Sequence, residues 1–439
     1  MDKMRSITAR MQRVRPARYF GRVQAIQAGL ILVEGLNCHA SLGDRVDFSM
    51  TFGASLSGEI VSLLPKAAAV LPEGPTDGLS IGCEAELMFA PRLSPANGWI
   101  GRIIDPLGRP LDGRPLASGA EERAFRSPPP PAASRGRLGR RLDTGLAVFD
   151  TILPLVRGQR MGLFAGSGVG KSTLLSALAK GVGADVVVIG LIGERGRELR
   201  EFVEETLGPE GMARSVVVAA TSDQSPLMRR RCAWAAMTVA EHFRDQGKHV
   251  LFLADSITRF AEAHREIALA AGESPSYRGF PPSVSHLIMS LAERSGPGPQ
   301  GSGDMTAIFS VLVAGSDMEE PVADILRGVL DGHVVLDRAI AERGRFPAVD
   351  VLRSVSRSLP HAASGPENAL IAKARAVLGI YAESELMIRA GLYAQGADAK
   401  LDEAVRIFPG LDAFFTRTSP GARQSFALLA EALGTAPPR

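Results

Sequence analysis

The chain has 439 residues, of which 45% are hydrophobic and 22% charged, with a formal net charge of +3. That composition excludes a disordered or fibrous protein, leaves length for about two to four globular domains, and does not call for a nucleic-acid partner. Cys38, Cys83 and Cys232 are odd in number and show no CxxC spacing, and the histidines form neither HxH nor HExxH, so reduced thiols without a structural zinc site are expected.

Met4, Ile7, Met11 and Val14 share one face of a predicted N-terminal helix over residues 1–18, opposite Arg5, Arg10 and Arg13. Three readings of this basic segment stand: a helix for a partner protein, a helix lying on acidic lipid, or a solvated tail. It lacks the apolar core of a secretory signal, and no apolar run reaches the roughly 18 residues of a membrane span, so the chain is expected to stay in the cytoplasm. Residues 19–95 read as short strands broken by glycines, as in RVQAIQAGLILVEGL and SGEIVSLLP, and predict a small β-barrel. Residues 96–142 read as a connector. It holds the turn clusters of GRIIDPLGRPLDGRPL, four consecutive prolines from Pro128 to Pro131, and the basic run Arg135, Arg137, Arg140 and Arg141, expected to be solvated or at an interface.

From about 143 to 365 the pattern changes. RMGLFAG, ADVVVIGLIG, SVVVAAT, HVLFLAD, TAIFSVLVAG and HVVLDR are apolar without alternation, and helical patterns separate them. Such runs mark strands buried on both faces, hence an α/β fold with a parallel sheet. Residues 366–439 read as a small α-helical domain.

Ala165-Gly-Ser-Gly-Val-Gly-Lys-Ser172 has the spacing of a phosphate-binding P-loop, with Ala165 where a glycine is usual, a strand before it and a helix after it. Its glycines let backbone N–H groups of Gly166, Ser167, Gly168, Val169 and Gly170 close on phosphates at a helix N-terminus. Lys171 should reach the terminal phosphates of ATP; Ser172, followed by Thr173, should offer its hydroxyl to Mg²⁺. Only seven lysines occur in the chain, so one at this position is informative. Asp255 ends the run from His249 and is placed at the carboxyl edge of the sheet, as a Mg²⁺ anchor or as a helix cap. Glu194 ends the preceding buried run. It can orient an attacking water, or pair with Arg195 or Arg197.

GSGVGKST, IGERGRE, HVLFLADSITRFAEA, SDMEEPVADILRGVLDGHVVL and the Ser354–Arg357 segment together resemble the flagellar and type III secretion ATPases, relatives of the rotary F- and V-type catalytic subunits. The resemblance runs from about residue 20 to 415. It implies a RecA-like P-loop core preceded by a β-barrel and followed by a helical domain, in a homohexameric ring. It implies that Lys171, Glu194 and Arg357 are catalytic, with Arg357 a finger reaching the neighbouring subunit; the alternatives are that Arg353 is the finger or that both arginines make structural salt bridges. Phe346 falls where an aromatic stacks on adenine, or is a core residue before Pro347. The implied activity is ATP hydrolysis driving protein export, with flagellar export preferred over a virulence-type injectisome or a rotary ion pump. Implied partners are a regulatory stator-like protein at the N-terminal helix, a central stalk, membrane proteins of an export gate, and export substrates with their chaperones. The implied location is the inner face of the cytoplasmic membrane. The ring-shaped RNA helicases share the core, but residues 19–93 carry no RNA-binding motif.

Overall fold

The computed structural model describes residues 17–50, 55–313 and 318–437; the predicted N-terminal helix lies outside them. Six strands, β1 (Tyr19–Gln27), β2 (Leu30–Glu34), β3 (Arg45–Ser49), β4 (Ser55–Leu63), β5 (Ala67–Pro72) and β6 (Glu84–Met88), close into an antiparallel barrel of order β1-β2-β5-β4-β3-β6. Val23, Ile31, Val33, Val46, Phe48, Val70 and Leu87 fill its interior, and the alternation of buried and exposed positions along β2, β3 and β6 is the period-two pattern of a half-buried strand. Gly21 shows why glycine punctuates these runs: a Cβ there would stand 2.4 Å from Glu34 O across the β1–β2 pair.

After the two-residue strand β7 (Arg92–Leu93), the connector is more than a linker. Its β8 (Arg102–Ile104) joins the central sheet in parallel beside a later strand, while β9 (Arg123–Ala124) pairs with β7. Trp99, Ile104 and Phe125 are buried in the core behind that sheet. Three residues are too few for a recognisable apolar run, which is why β8 escapes a periodicity reading. The basic run divides: Arg137 and Arg140 are exposed, whereas Arg135 pairs with Glu293 and Arg141 with Glu367.

The central sheet continues with β10 (Arg160–Ala165), β11 (Val186–Glu194), β12 (Ser215–Thr221), β13 (Val250–Asp255), β14 (Met305–Leu312), β15 (Gly332–Leu336) and β16 (Val349–Ser356), ordered β16-β15-β10-β14-β13-β11-β12-β8. All pairs are parallel except β15–β16. β11, β13 and β14 are buried almost throughout, because helices cover both faces. Val187, Ile189, Leu191, Leu251 and Leu253 pack towards the helix Lys171–Gly181; Val186, Val188, Phe252 and Ala254 pack towards the helices Pro226–Asp245, Ile257–Ala270 and Ser283–Glu293. β16 was not among the predicted strands. As an antiparallel edge strand it is covered on one side only, and Leu352 and Val355 stay exposed.

The helices Gly365–Arg389, Ala399–Phe414 and Ala422–Ala432 follow. The first is capped by Ser364, whose Oγ accepts from Glu367 N while the Glu367 carboxylate accepts from Ser364 N. Ala374, Leu411, Phe426 and Leu429 share a core with Leu175 and Leu178, so these helices lean on the face of the sheet that carries the P-loop helix. Among the described residues no helix is long and apolar enough to cross a membrane.

Candidate nucleotide site

The carboxyl ends of β10, β11, β13 and β14 meet at one edge of the sheet, where crossover loops leave backbone and side chains free to bind a ligand. The P-loop leaves β10 at Ala165 and enters the helix Lys171–Gly181. Gly168 (φ 77°) and Gly170 (φ 87°) are left-handed, which lets the loop curl back over the helix N-terminus, and buried Val169 pins it to the core. The helix therefore opens its first N–H groups to a cleft of about 740 Å³ lined by the loop, Lys171, Ser172, Thr173, Glu194, Arg195, Glu198, Arg259 and Glu262.

Asp255 is 3% exposed, and two donors hold it: Lys171 Nζ and Ser310 Oγ, the latter at 2.6 Å. It is not the cap of the helix that follows. Ser256 fills that role, its Oγ accepting from Arg259 N at 3.4 Å. Glu194 comes level with this pair because β11 bulges at Gly193 (φ 71°). Its Oε1 lies 3.7 Å from Lys171 Nζ, while Arg195 turns away to pair with Glu198 at 2.7 Å. Burial and the Asp255 charge push the Glu194 carboxyl up to about 7, against the pull of Lys171. One cation thus sits between two carboxylates at the mouth of a water-accessible cleft.

Glu198 and Arg259 are cleft residues that the motif reading did not single out. Each lies in the first turn of the helix that follows a strand-ending carboxylate, and that short strand-to-helix connection is the signal that keeps it beside the site. Lys171, Arg195 and Arg259 line the same space as cations that can meet phosphate oxygens, interleaved with the Glu194, Glu198, Glu262 and Glu320 carboxylates. Hard oxygen donors line the adjoining pocket of about 140 Å³, among them the Ser172 hydroxyl and the Asp255 carboxylate, although no three His, Cys, Asp or Glu side chains among the described residues group closely enough to hold a metal by themselves. That donor set, with no thiolate or imidazole, fits Mg²⁺.

Phe346 stands at the loop's other side. It is 51% exposed, and a Cβ on Gly170 would come 3.2 Å from its ring. Arg357 is not brought to the P-loop of its own chain. Because β16 is antiparallel, Ser356 pairs with Gly332 at the start of β15, whereas Ala165 pairs with Leu336 at its end. Those rungs are roughly 13 Å apart along the strand. Arg357 is exposed at the opposite edge of the sheet, where its Nη2 donates to Arg327 O at 3.1 Å. Arg353, also exposed, lies 3.9 Å from Asp337.

Comparison with known proteins matches residues 145–356 to the nucleotide-binding domain of the ATP synthase alpha/beta family, and residues 364–433 to the C-terminal domain of the type III secretion ATPase EscN. The flagellum-specific ATP synthase of Caulobacter vibrioides is 46% identical over 442 residues, 98% of this chain and 99% of that one. The type 3 secretion system ATPase of Pseudomonas syringae pv. syringae is 42% identical over 404 residues, 90% of this chain and 89% of that one. Among solved structures, assembled EscN from enteropathogenic E. coli superposes with a TM-score of 0.86 at 33% identity, covering 94% of this chain and all of that one, and EscN in complex with its central stalk EscO with 0.83 at 34%, over the same shares. A shared barrel, P-loop sheet and helical C-terminus at this identity and coverage place the chain in the ATP synthase alpha/beta family, in its flagellar and type III secretion ATPase branch.

Proposed function

We propose that this chain hydrolyses ATP at the contacts between neighbouring copies in a homohexameric ring, and so energises protein export through the flagellar secretion apparatus. The observation that carries the intersubunit reading is the split of the charged groups: Lys171, Glu194 and Asp255 meet at one edge of the sheet, Arg357 at the other.

In this mechanism the P-loop N–H groups and Lys171 bind the β- and γ-phosphates, with Arg195 and Arg259 facing them across the cleft. Ser172 and Asp255 would hold Mg²⁺, which would neutralise charge on the phosphate oxygens. Glu194, once ionised, accepts a hydrogen bond from water and aims its oxygen at the γ-phosphorus. The water oxygen bonds to the γ-phosphorus as the bond from the β–γ bridging oxygen breaks; ADP and phosphate leave, one water proton passing to the medium and the other staying on the phosphate. Arg357 of the adjacent copy balances the charge that builds on the γ-oxygens, so turnover depends on how two subunits close together. Phe346 stacks on the adenine.

The barrel of residues 19–95, the core of 143–365 and the helical part from 366 act as three units of that ring. A central stalk analogous to EscO fits inside it, since EscN assembles with one. The basic segment 1–18 takes a regulatory stator-like protein, and the ring sits at the inner face of the cytoplasmic membrane, handing export substrates and chaperones to the gate. Identity of 46% to the Caulobacter flagellar enzyme, against 42% to the Pseudomonas syringae secretion ATPase and 33% to EscN, supports the flagellar assignment. The test pairs a steady-state ATPase assay on purified protein with complementation of a flagellar-ATPase deletion strain. Turnover with restored motility is expected; turnover without motility removes the flagellar assignment, and no turnover removes the enzyme.

A further inference from the structure

The loop between the helix Arg338–Glu342 and β16 sends consecutive side chains in opposite directions. Phe346 faces outward onto the P-loop at Gly170. Arg345 turns inward and is 7% exposed. Its Nη2 donates to Val349 O at 2.7 Å, at the start of β16. Its Nε stands 3.4 Å from Asp412 Oδ1, and its guanidinium lies over the Phe415 ring, 5.1 Å from the centroid. Asp412 lies in the helix Ala399–Phe414 and Phe415 is the C-cap of that helix. One buried cation therefore bridges the strand, the helix Ala399–Phe414 and the back of the loop that presents Phe346.

Stability alone is a weak reason for this residue. Among the described residues neither Nε nor Nη1 makes a hydrogen bond, although both are buried. An arginine normally fills its fork of donors, and a side chain packed on an aromatic ring with a single good hydrogen bond is matched or bettered by an apolar residue of similar volume. What an apolar residue could not supply is a hydrogen bond to Val349 O together with an ion pair to Asp412.

We infer that Arg345 is a positioning residue for the nucleotide: it pins the inner side of this loop to β16 and to the helix Ala399–Phe414, and so sets where the Phe346 ring stands beside Gly170. The inference rests on the reading of Phe346 as the adenine platform. It adds that the platform is held from behind by the helix Ala399–Phe414, so movement of that helix shifts base affinity.

Steady-state ATPase kinetics on the full chain test this with Arg345→Met, Arg345→Lys, Phe346→Ala and the double variant Arg345→Met/Phe346→Ala. Arg345→Met keeps the packing on Phe415 but loses the polar links. It should raise KM for ATP about three- to tenfold while kcat stays within about twofold, since a stacking contact is made alike before and during reaction. Arg345→Lys, which keeps a donor and the charge, should recover most of the loss. In the Phe346→Ala background Arg345→Met should add nothing. A raised KM for Phe346→Ala with an unchanged KM for Arg345→Met overturns the inference, as does full additivity. An unchanged KM for Phe346→Ala removes the stacking reading and the inference with it. Should Arg345→Met not fold, Asp412→Ala, at a half-exposed position, replaces it: a raised KM is expected, and an unchanged one overturns the inference.

Discussion

At the scale of single residues, the site is a balance of charges around Lys171. The amine touches Asp255 and lies 3.7 Å from Glu194, so one positive charge faces two carboxyl groups as well as the cleft. Lys171→Ala should lower ATP turnover by about 10²-fold or more, because it removes positive charge needed as the γ-phosphate leaves; near-normal turnover in a coupled assay would contradict the phosphate assignment. The two exposed arginines at β16 separate in the same assay. Arg357→Ala should cost about 10³-fold in kcat, whereas Arg353→Ala, beside Asp337, should cost little. A reversal of that order would make Arg353 the finger.

At the scale of elements, the barrel is joined to the core by a buried ion cluster rather than by apolar packing alone. Glu59 on β4 accepts from Arg230 Nη2 at 2.5 Å and from Arg231 Nη2 at 3.0 Å, both on the helix Pro226–Asp245, and Arg231 also reaches Glu73. Removing Glu59 leaves two desolvated guanidinium groups short of a partner. Glu59→Ala should therefore destabilise the full chain by about 3–5 kcal/mol in chemical unfolding; a loss near zero would mean that water reaches the cluster. The cluster extends to His264, whose Nδ1 is 3.4 Å from Arg230 Nη1 and whose Nε2 is 2.8 Å from Ser283 Oγ. Burial, and then the Arg230 charge, lower the His264 imidazole to about 4 from an ordinary 6.5. Between those values the unfolded chain binds the proton and the folded chain does not, so stability falls as pH drops from about 6.5 towards 4. The unfolding temperature measured over that window should slope less steeply in His264→Gln; equal slopes would assign the pH dependence to other groups.

At the scale of the whole molecule, the proposed mechanism divides its charged groups between opposed edges of the sheet, so activity is expected to depend on assembly. Mixing Arg357→Ala with Glu194→Gln protein should restore part of the activity that each lacks alone, because some interfaces then receive both intact groups; no recovery in verified mixed rings would place Arg357 in a structural role. Much of this was legible in the sequence. The P-loop, Glu194 and Asp255 depend on short-range order: a loop of fixed spacing between a strand and a helix, and carboxylates that end unalternated apolar runs. Those patterns report burial on both faces and the carboxyl edge of a parallel sheet, because local periodicity records which sides of an element meet water. The rest depended on pairings distant in the chain. A three-residue β8 joining the far edge, the antiparallel β16 that carries Arg357 away from its own P-loop, Glu59 meeting Arg230 and Arg231, and Arg345 reaching Asp412 leave no local periodicity. The sequence alone thus determined the chemistry that each segment offers; only the tertiary structure decided which groups share a site, because strand order, direction and register are set by long-range packing.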